Sequence, residues 1–185
     1  MSSPGMTSPD PAHRDDALLR FYRLEGPDAR GRTLPEIWGW DAARLEGVHD
    51  YIQWLFPLPE PSAFNPHAPI LTTETIETFR AGPELRQRLL RSLALMLEFY
   101  GLALESDGNG APRIERARDF AAKSAGWLRP GDHNHLRLTR ILTSARLLGL
   151  DEHSQALYRC LAAIARDHPH AVSATTLDYW RRASP

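Results

Sequence analysis

Leu45, Val48, Ile52 and Leu55 recur at three- and four-residue steps, the spacing that lines side chains along one face of a helix. Tyr51, Trp54 and Phe56 widen that face past half the circumference, and Glu46, Asp50 and Gln53 fill the remaining arc. The pattern predicts one continuous helix, Asp41–Phe56, capped by Asp41 and ended by Pro57. A helix so apolar belongs at the centre of a domain, with other helices packed on several sides.

Two further strong helices are predicted. Pro83–Tyr100 starts on proline, where the N–H has no partner anyway, and ends at Gly101; Leu85, Leu89, Leu93, Met96, Leu97 and Tyr100 form its apolar face. Asp132–Leu148 ends at Gly149 and buries Leu138, Ile141, Leu142, Ala145 and Leu148.

Shorter elements surround them. Asp15 or Asp16 caps a first helix carrying Leu18, Leu19, Phe21 and Tyr22, closed by Gly26-Pro27. Leu34–Trp40 is an aromatic turn. Thr72 caps a helix to Phe79, a weaker pattern covers Glu115–Ala125, and Asp151 and Ser173 cap the last two helices. Ser106–Gly110 reads as an exposed turn. Pro57–Pro69 reads as a stiff strap pinned by Leu58, Phe64 and Ile70, with a polyproline-ligand reading beside it. Residues 1–12 read as a disordered tail and 13–183 as one domain. The fold class is therefore all-α: a single compact multi-helix domain with two or three central buried helices.

Composition sharpens this. The 185 residues are 42% hydrophobic and 24% charged, a globular balance with enough length for a real core. Valine occurs only at Val48 and Val172, which disfavours strands. A net charge of −1 gives no drive toward nucleic acid. Cys160 is alone, so no internal disulfide forms and a reducing, cytoplasmic setting is expected. No run approaches the roughly 20 apolar residues of a membrane helix, and the polar N-terminus has no signal-peptide core.

Candidate chemistry is sparse. His49, Asp50, Gln53 and Trp54 share the central helix, with His49 and Gln53 one turn apart. His133, Asn134, Arg137 and Arg140 begin a polar stripe, continued by Ser144, on a second helix; arginine forks suit carboxylates and phosphates. Together these eight residues are the candidate ligand site, for a small ligand or peptide with an anionic group. The alternative is structural: Arg137 and Arg140 pair with Glu46, Asp50 or Glu98 between helices. A rival functional reading, an enzyme or metal protein, needs His49, Asp50 and His133 to meet, yet no second histidine stands four residues from His49. No cofactor motif, nucleophile elbow or zinc spacing is present, so neither catalytic residues nor metal ligands nor a cofactor are assigned. Trp38, Trp40 and Trp54 make either core or a recognition pocket.

Four stretches resemble the conserved region of the opioid growth factor receptor family. They are Phe21–Arg23; Leu45-Glu46 through His49–Pro57 and on to Leu71-Thr72; Arg88–Ser92 with Met96-Leu97 and Phe99–Gly101; and Asn134, Leu136-Arg137, Thr139–Leu142 and Leu148–Leu150. The resemblance implies a helical, non-enzymatic receptor-like module. In animal members it implies a receptor for the peptide met-enkephalin that restrains proliferation, associated with membranes and nucleus without a transmembrane span. Peripheral membrane association follows by analogy only. Thr75 replaces the acid usual at its position, and 128–132 diverges. A short Ala/Leu/Arg-rich member, without the long tail or basic import cluster of animal members, is expected to be bacterial, with its own natural ligand.

Overall fold

The computed structural model describes residues 11–62 and 65–184, with side chains from residue 17 onward. The central rod is α6 (Pro83–Tyr100), with Pro83 in its first turn as the sequence requires. It packs against α1 (Pro11–Arg23), α2 (Leu34–Trp38), α5 (Thr73–Ala81), α7 (Phe120–Ser124) and α8 (Asn134–Leu147). Helix α8 in turn packs on α9 (Asp151–Asp167) and α10 (Ala174–Ala183). One continuous apolar cluster links all of them. Thr72, Asp41 and Ser173 each cap their helix as read, accepting from the backbone N–H three residues on.

The chain is mostly helical rather than all-α. β1 (Leu102–Ser106) and β2 (Pro112–Arg116) form an antiparallel hairpin with Leu104 opposite Ile114. Gly101 makes it possible: at φ 74° it ends α6 and turns the chain straight into β1. The Glu115–Ala125 helix is thus corrected to the end of β2 followed by the single turn of α7. The Ser106–Gly110 cluster is the exposed hairpin tip, where Asp107 accepts from the N–H groups of Asn109 and Ala111 at 2.9 Å. Asp-Gly and Asn-Gly between two short runs were the overlooked hairpin signal.

Two other expectations are corrected, and that of a strap pinned by Leu58 and Ile70 is sharpened. The first helix starts at Pro11, ahead of Asp15 and Asp16; residues 1–10 of the expected tail, and Phe64 of the strap, lie outside the described residues. The strap is a loop closed at its neck, where Leu58 bridges Ile70 and its carbonyl accepts from the Leu71 N–H at 3.0 Å. Asp151 does not cap α9; its carboxylate meets Arg80 at 3.1 Å.

The predicted Asp41–Phe56 helix is two short helices, α3 (Ala42–Gly47) and α4 (Ile52–Leu55), with Val48 extended between them. Gly47 followed by β-branched Val48 weakens the helix there. The periodicity survives because both halves bury the same side: Leu45, Tyr51, Ile52, Trp54, Leu55 and Phe56 are all core.

Arginines close many of the helix ends. Arg88 donates to the Tyr22 carbonyl (2.9 Å), Arg80 to those of Arg146 and Leu147 (3.0 and 3.3 Å), and Arg146 to that of Ala183 (3.1 Å). Each guanidinium supplies the carbonyls that a helix C-terminus leaves unpaired, where the helix dipole favours a cation.

Candidate functional site

The break between α3 and α4 brings most of the predicted site residues together. It exposes carbonyls that a continuous helix would have satisfied internally, and side chains take them up. Arg137, buried on α8, donates to the carbonyls of Leu45 and Val48 at 3.0 Å each. The Tyr51 hydroxyl takes the second lone pair of the Leu45 carbonyl at 3.0 Å. With its amide oriented to satisfy both ends, Gln53 Nε2 donates to the carbonyls of His49 (3.3 Å) and Asp50 (3.0 Å). Arg140 donates to the Phe56 carbonyl at 3.1 Å, at the end of α4.

Behind Arg137 lies Asn134, fully buried and fully used. Its Oδ1 accepts from Tyr100 and Arg137 (both 3.3 Å), and its Nδ2 donates to Glu46 (3.2 Å) and Asp132 (3.1 Å). Burial pushes the Tyr51 hydroxyl up to about 12 and Tyr100 well above its ordinary value, so both remain neutral donors.

On the surface above this network, the rings of His49 and His133 meet edge to face, 5.6 Å between centroids. His133 Nε2 lies 3.4 Å from the Glu46 carboxylate. The structure therefore gathers His49, His133, Asn134 and Arg137. Glu46, expected here as an arginine partner, and Asp132 and Tyr100, missed as members, complete the group.

Asp50 does not join them. Its carboxylate turns to the loop after α1 and pairs with Arg32 (2.7 Å) and Arg30 (3.0 Å). Arg32 also holds Asp28 at 2.6 Å. Burial pushes the Asp50 carboxyl up, but the hydrogen bonds and charges of Arg32 and then Arg30 outweigh it and hold it below the ordinary carboxylate range. The trio His49, Asp50 and His133 is thus not assembled, and among the described residues no group of three or more His, Cys, Asp or Glu could hold a metal ion. The expected pairing of Asp50 with Arg137 or Arg140 is likewise replaced, because the arginines serve backbone carbonyls, while the expected pairing of Arg137 with Glu46 is present at 3.7 Å.

Asp50 and Trp54 instead line a cavity of about 260 Å³ together with Arg30, Arg32, Asn65 and His67. Trp54 is core on its other side, packed edge-on against Phe21 at 5.4 Å. Arg30 is engaged by Asp50 through Nε and its side chain is 71% exposed, so its terminal nitrogens face water. Nothing in the hydrophobic periodicity could find Arg30, Arg32, Asn65 and His67, which sit in loops. Asn65 stood within the stretch carrying the family resemblance, which was the available signal.

A family model described as "Opioid growth factor receptor (OGFr) conserved region" matches residues 13–184. The chain belongs to this family. Among its relatives, the rat "Opioid growth factor receptor" is 38% identical over 183 residues, which is 96% of this chain and 31% of the rat protein. The human protein of that name is 41% identical over 180 residues, 90% of this chain and 25% of its own length. The "Opioid growth factor receptor-like protein 1" of Xenopus tropicalis is 38% identical over 145 residues, 76% of this chain and 27% of its own length. The chain therefore spans under a third of the length of these relatives. No solved structure matches it. The opioid growth factor receptor relatives are named as receptors and not as enzymes. None of the described helices of this family member is long and apolar enough to cross a membrane.

Proposed function

We propose that this domain is a non-enzymatic binding module of the receptor type, taking a small ligand or peptide through an anionic group. The observation that carries the reading is the cavity beside the α3–α4 break, where Asp50 and Trp54 meet Arg30, Asn65 and His67. Trp54 offers an apolar wall, the terminal nitrogens of Arg30 offer a fork for a carboxylate, and Asn65 and His67 add polar partners. The His49–His133 pair, with Arg137 and Asn134 behind it, supports this role by holding the break that sets the cavity's shape. The names of the relatives add an opioid growth factor as the ligand class.

The test is titration of the whole chain with met-enkephalin as the free acid and as the C-terminal amide, followed by nuclear magnetic resonance. Saturable shifts at Trp54, Asn65 and His67 are expected for the acid. Binding about tenfold weaker is expected for the amide and for Arg30→Ala, through loss of the charge-assisted contact. Equal binding of acid and amide, or shifts elsewhere only, would remove this reading.

A further inference from the structure

Five tryptophans stand in this chain, and a buried indole N–H ordinarily finds an acceptor. Three do: Trp38 donates to Ser92 Oγ at 3.0 Å, Trp127 to the Tyr100 carbonyl at 3.1 Å and Trp180 to the His135 carbonyl at 3.1 Å. Trp40 and Trp54 have no acceptor among the described residues, and each lines an opening in the fold. Trp54 is the more deeply buried, only 4% exposed, and the cavity it shares with Arg30, Asp50, Asn65 and His67 is where that surface opens. Among the described residues, the sealed side-chain atoms without a partner belong to Arg32, His135, Ser144 and Ser184, so Trp54 Nε1 keeps an open side. It is an unused donor in the cavity wall.

The acceptors beside it are already engaged. Asp50 holds Arg32 on one oxygen at 2.7 Å and Arg30 on the other at 3.0 Å. Asn65 Oδ1 accepts from the His67 N–H at 3.2 Å. With His67 exposed at the rim, the cavity keeps two open donors, the terminal nitrogens of Arg30 and the indole of Trp54. A ligand that satisfies both must bring two acceptors. At about 260 Å³ the cavity is smaller than the roughly 300–1,000 Å³ that encloses a drug-sized ligand, so it takes the end of a chain rather than the whole of one. The carboxyl end of a peptide carries both acceptors within one residue: the terminal carboxylate and the carbonyl of the last peptide bond.

We propose that Trp54 Nε1 donates to the carbonyl of the last peptide bond of a ligand whose terminal carboxylate rests on Arg30. The ligand class is then the free carboxyl end of a peptide, read by its backbone. This rests on the reading of the cavity as a carboxylate site and adds the second contact, which tells a peptide end from any other acid.

The test uses N-acetylleucine and 4-methylpentanoic acid, which share the carboxylate and the isobutyl group, while only the first has an amide carbonyl. Each is titrated into the isotope-labelled whole chain. N-acetylleucine is expected to bind saturably, to move the Trp54 indole proton downfield and to slow its exchange with water. 4-Methylpentanoic acid should bind about fivefold weaker and leave that proton in place. Arg30→Ala should weaken both acids. Equal affinity for the two acids, or binding of N-acetylleucine with the indole proton unmoved, overturns the inference and leaves the carboxylate site standing. No saturable binding of either acid, or binding indifferent to Arg30→Ala, removes the carboxylate site and the inference with it.

Discussion

His49 Nδ1 lies 3.1 Å from Arg137 Nη2. A guanidinium only donates, so Nδ1 must accept, and neutral His49 carries its proton on Nε2. The same arginine holds the carbonyls of Leu45 and Val48, which makes it the fastener of the α3–α4 break. Arg137→Ala leaves those carbonyls and Asn134 without their partner. A loss of about 3–5 kcal/mol in stability is expected from urea denaturation. Nitrogen shifts of the His49 ring should report the Nε2–H tautomer in the native chain and its loss in the variant. A variant as stable as the parent would mean that the break is held by something else.

Two backbone positions carry opposite expectations. Leu24 ends α1 with φ 66°, a left-handed conformation that costs a residue with a Cβ about 1–2 kcal/mol, and its side chain is 47% exposed. Leu24→Gly should raise stability by roughly 0.5–1 kcal/mol once the added freedom of the unfolded chain is counted. Gly101 has φ 74°, and a Cβ there would stand 2.9 Å from the Phe120 Cα. Gly101→Ala should cost about 2 kcal/mol or more, because strain and a backbone clash add. Melting temperatures moving in the same direction for both would contradict this geometry.

Burial holds His135 and His153 below the ordinary imidazole value of 6.5, partly offset by the charges of Asp132 and Glu152 respectively. His135 is packed between Trp127 and Trp180, and its Nε2 is buried without a partner. The unfolded chain therefore takes up protons at a higher pH than the folded one. Stability is fully present above about pH 6.5 and falls as pH drops through the folded values. Urea midpoints measured from about pH 7.5 to 5.5 should decline, and His135→Phe should flatten the slope. A midpoint independent of pH across that range would refute the assignment.

Cys160 is buried in α9, and burial pushes its thiol up to about 11 despite the nearby positive charge of Arg116. The sulfur is largely covered, reached only from a cavity lined by Ile114, Arg113 and Arg159, and little thiolate forms at neutral pH. Labelling by a thiol reagent at neutral pH should be at least about tenfold slower for the native chain than for the urea-unfolded one. Rapid labelling of the native protein would show that α9 is not packed as described.

Whatever depends on neighbours in the chain was legible in the sequence. Pro83, Gly101 and the caps Asp41, Thr72 and Ser173 act within one helical turn, so α6 and the starts of α3, α5 and α10 were readable. The family resemblance, carried by the run His49–Pro57, was equally a property of order alone. The break inside the predicted central helix was not readable, because a kinked pair burying one side keeps the periodicity of a straight helix. Partner choice was hidden for the same kind of reason. Arg137, expected to pair with Glu46 or Asp50, does stand 3.7 Å from the Glu46 carboxylate, yet its shorter contacts go to carbonyls about 90 positions away in the chain. Asp50, adjacent to His49, turns to Arg30 and Arg32 instead. Backbone carbonyls leave no mark in a sequence, and which of them stay unpaired is decided only when the helices meet.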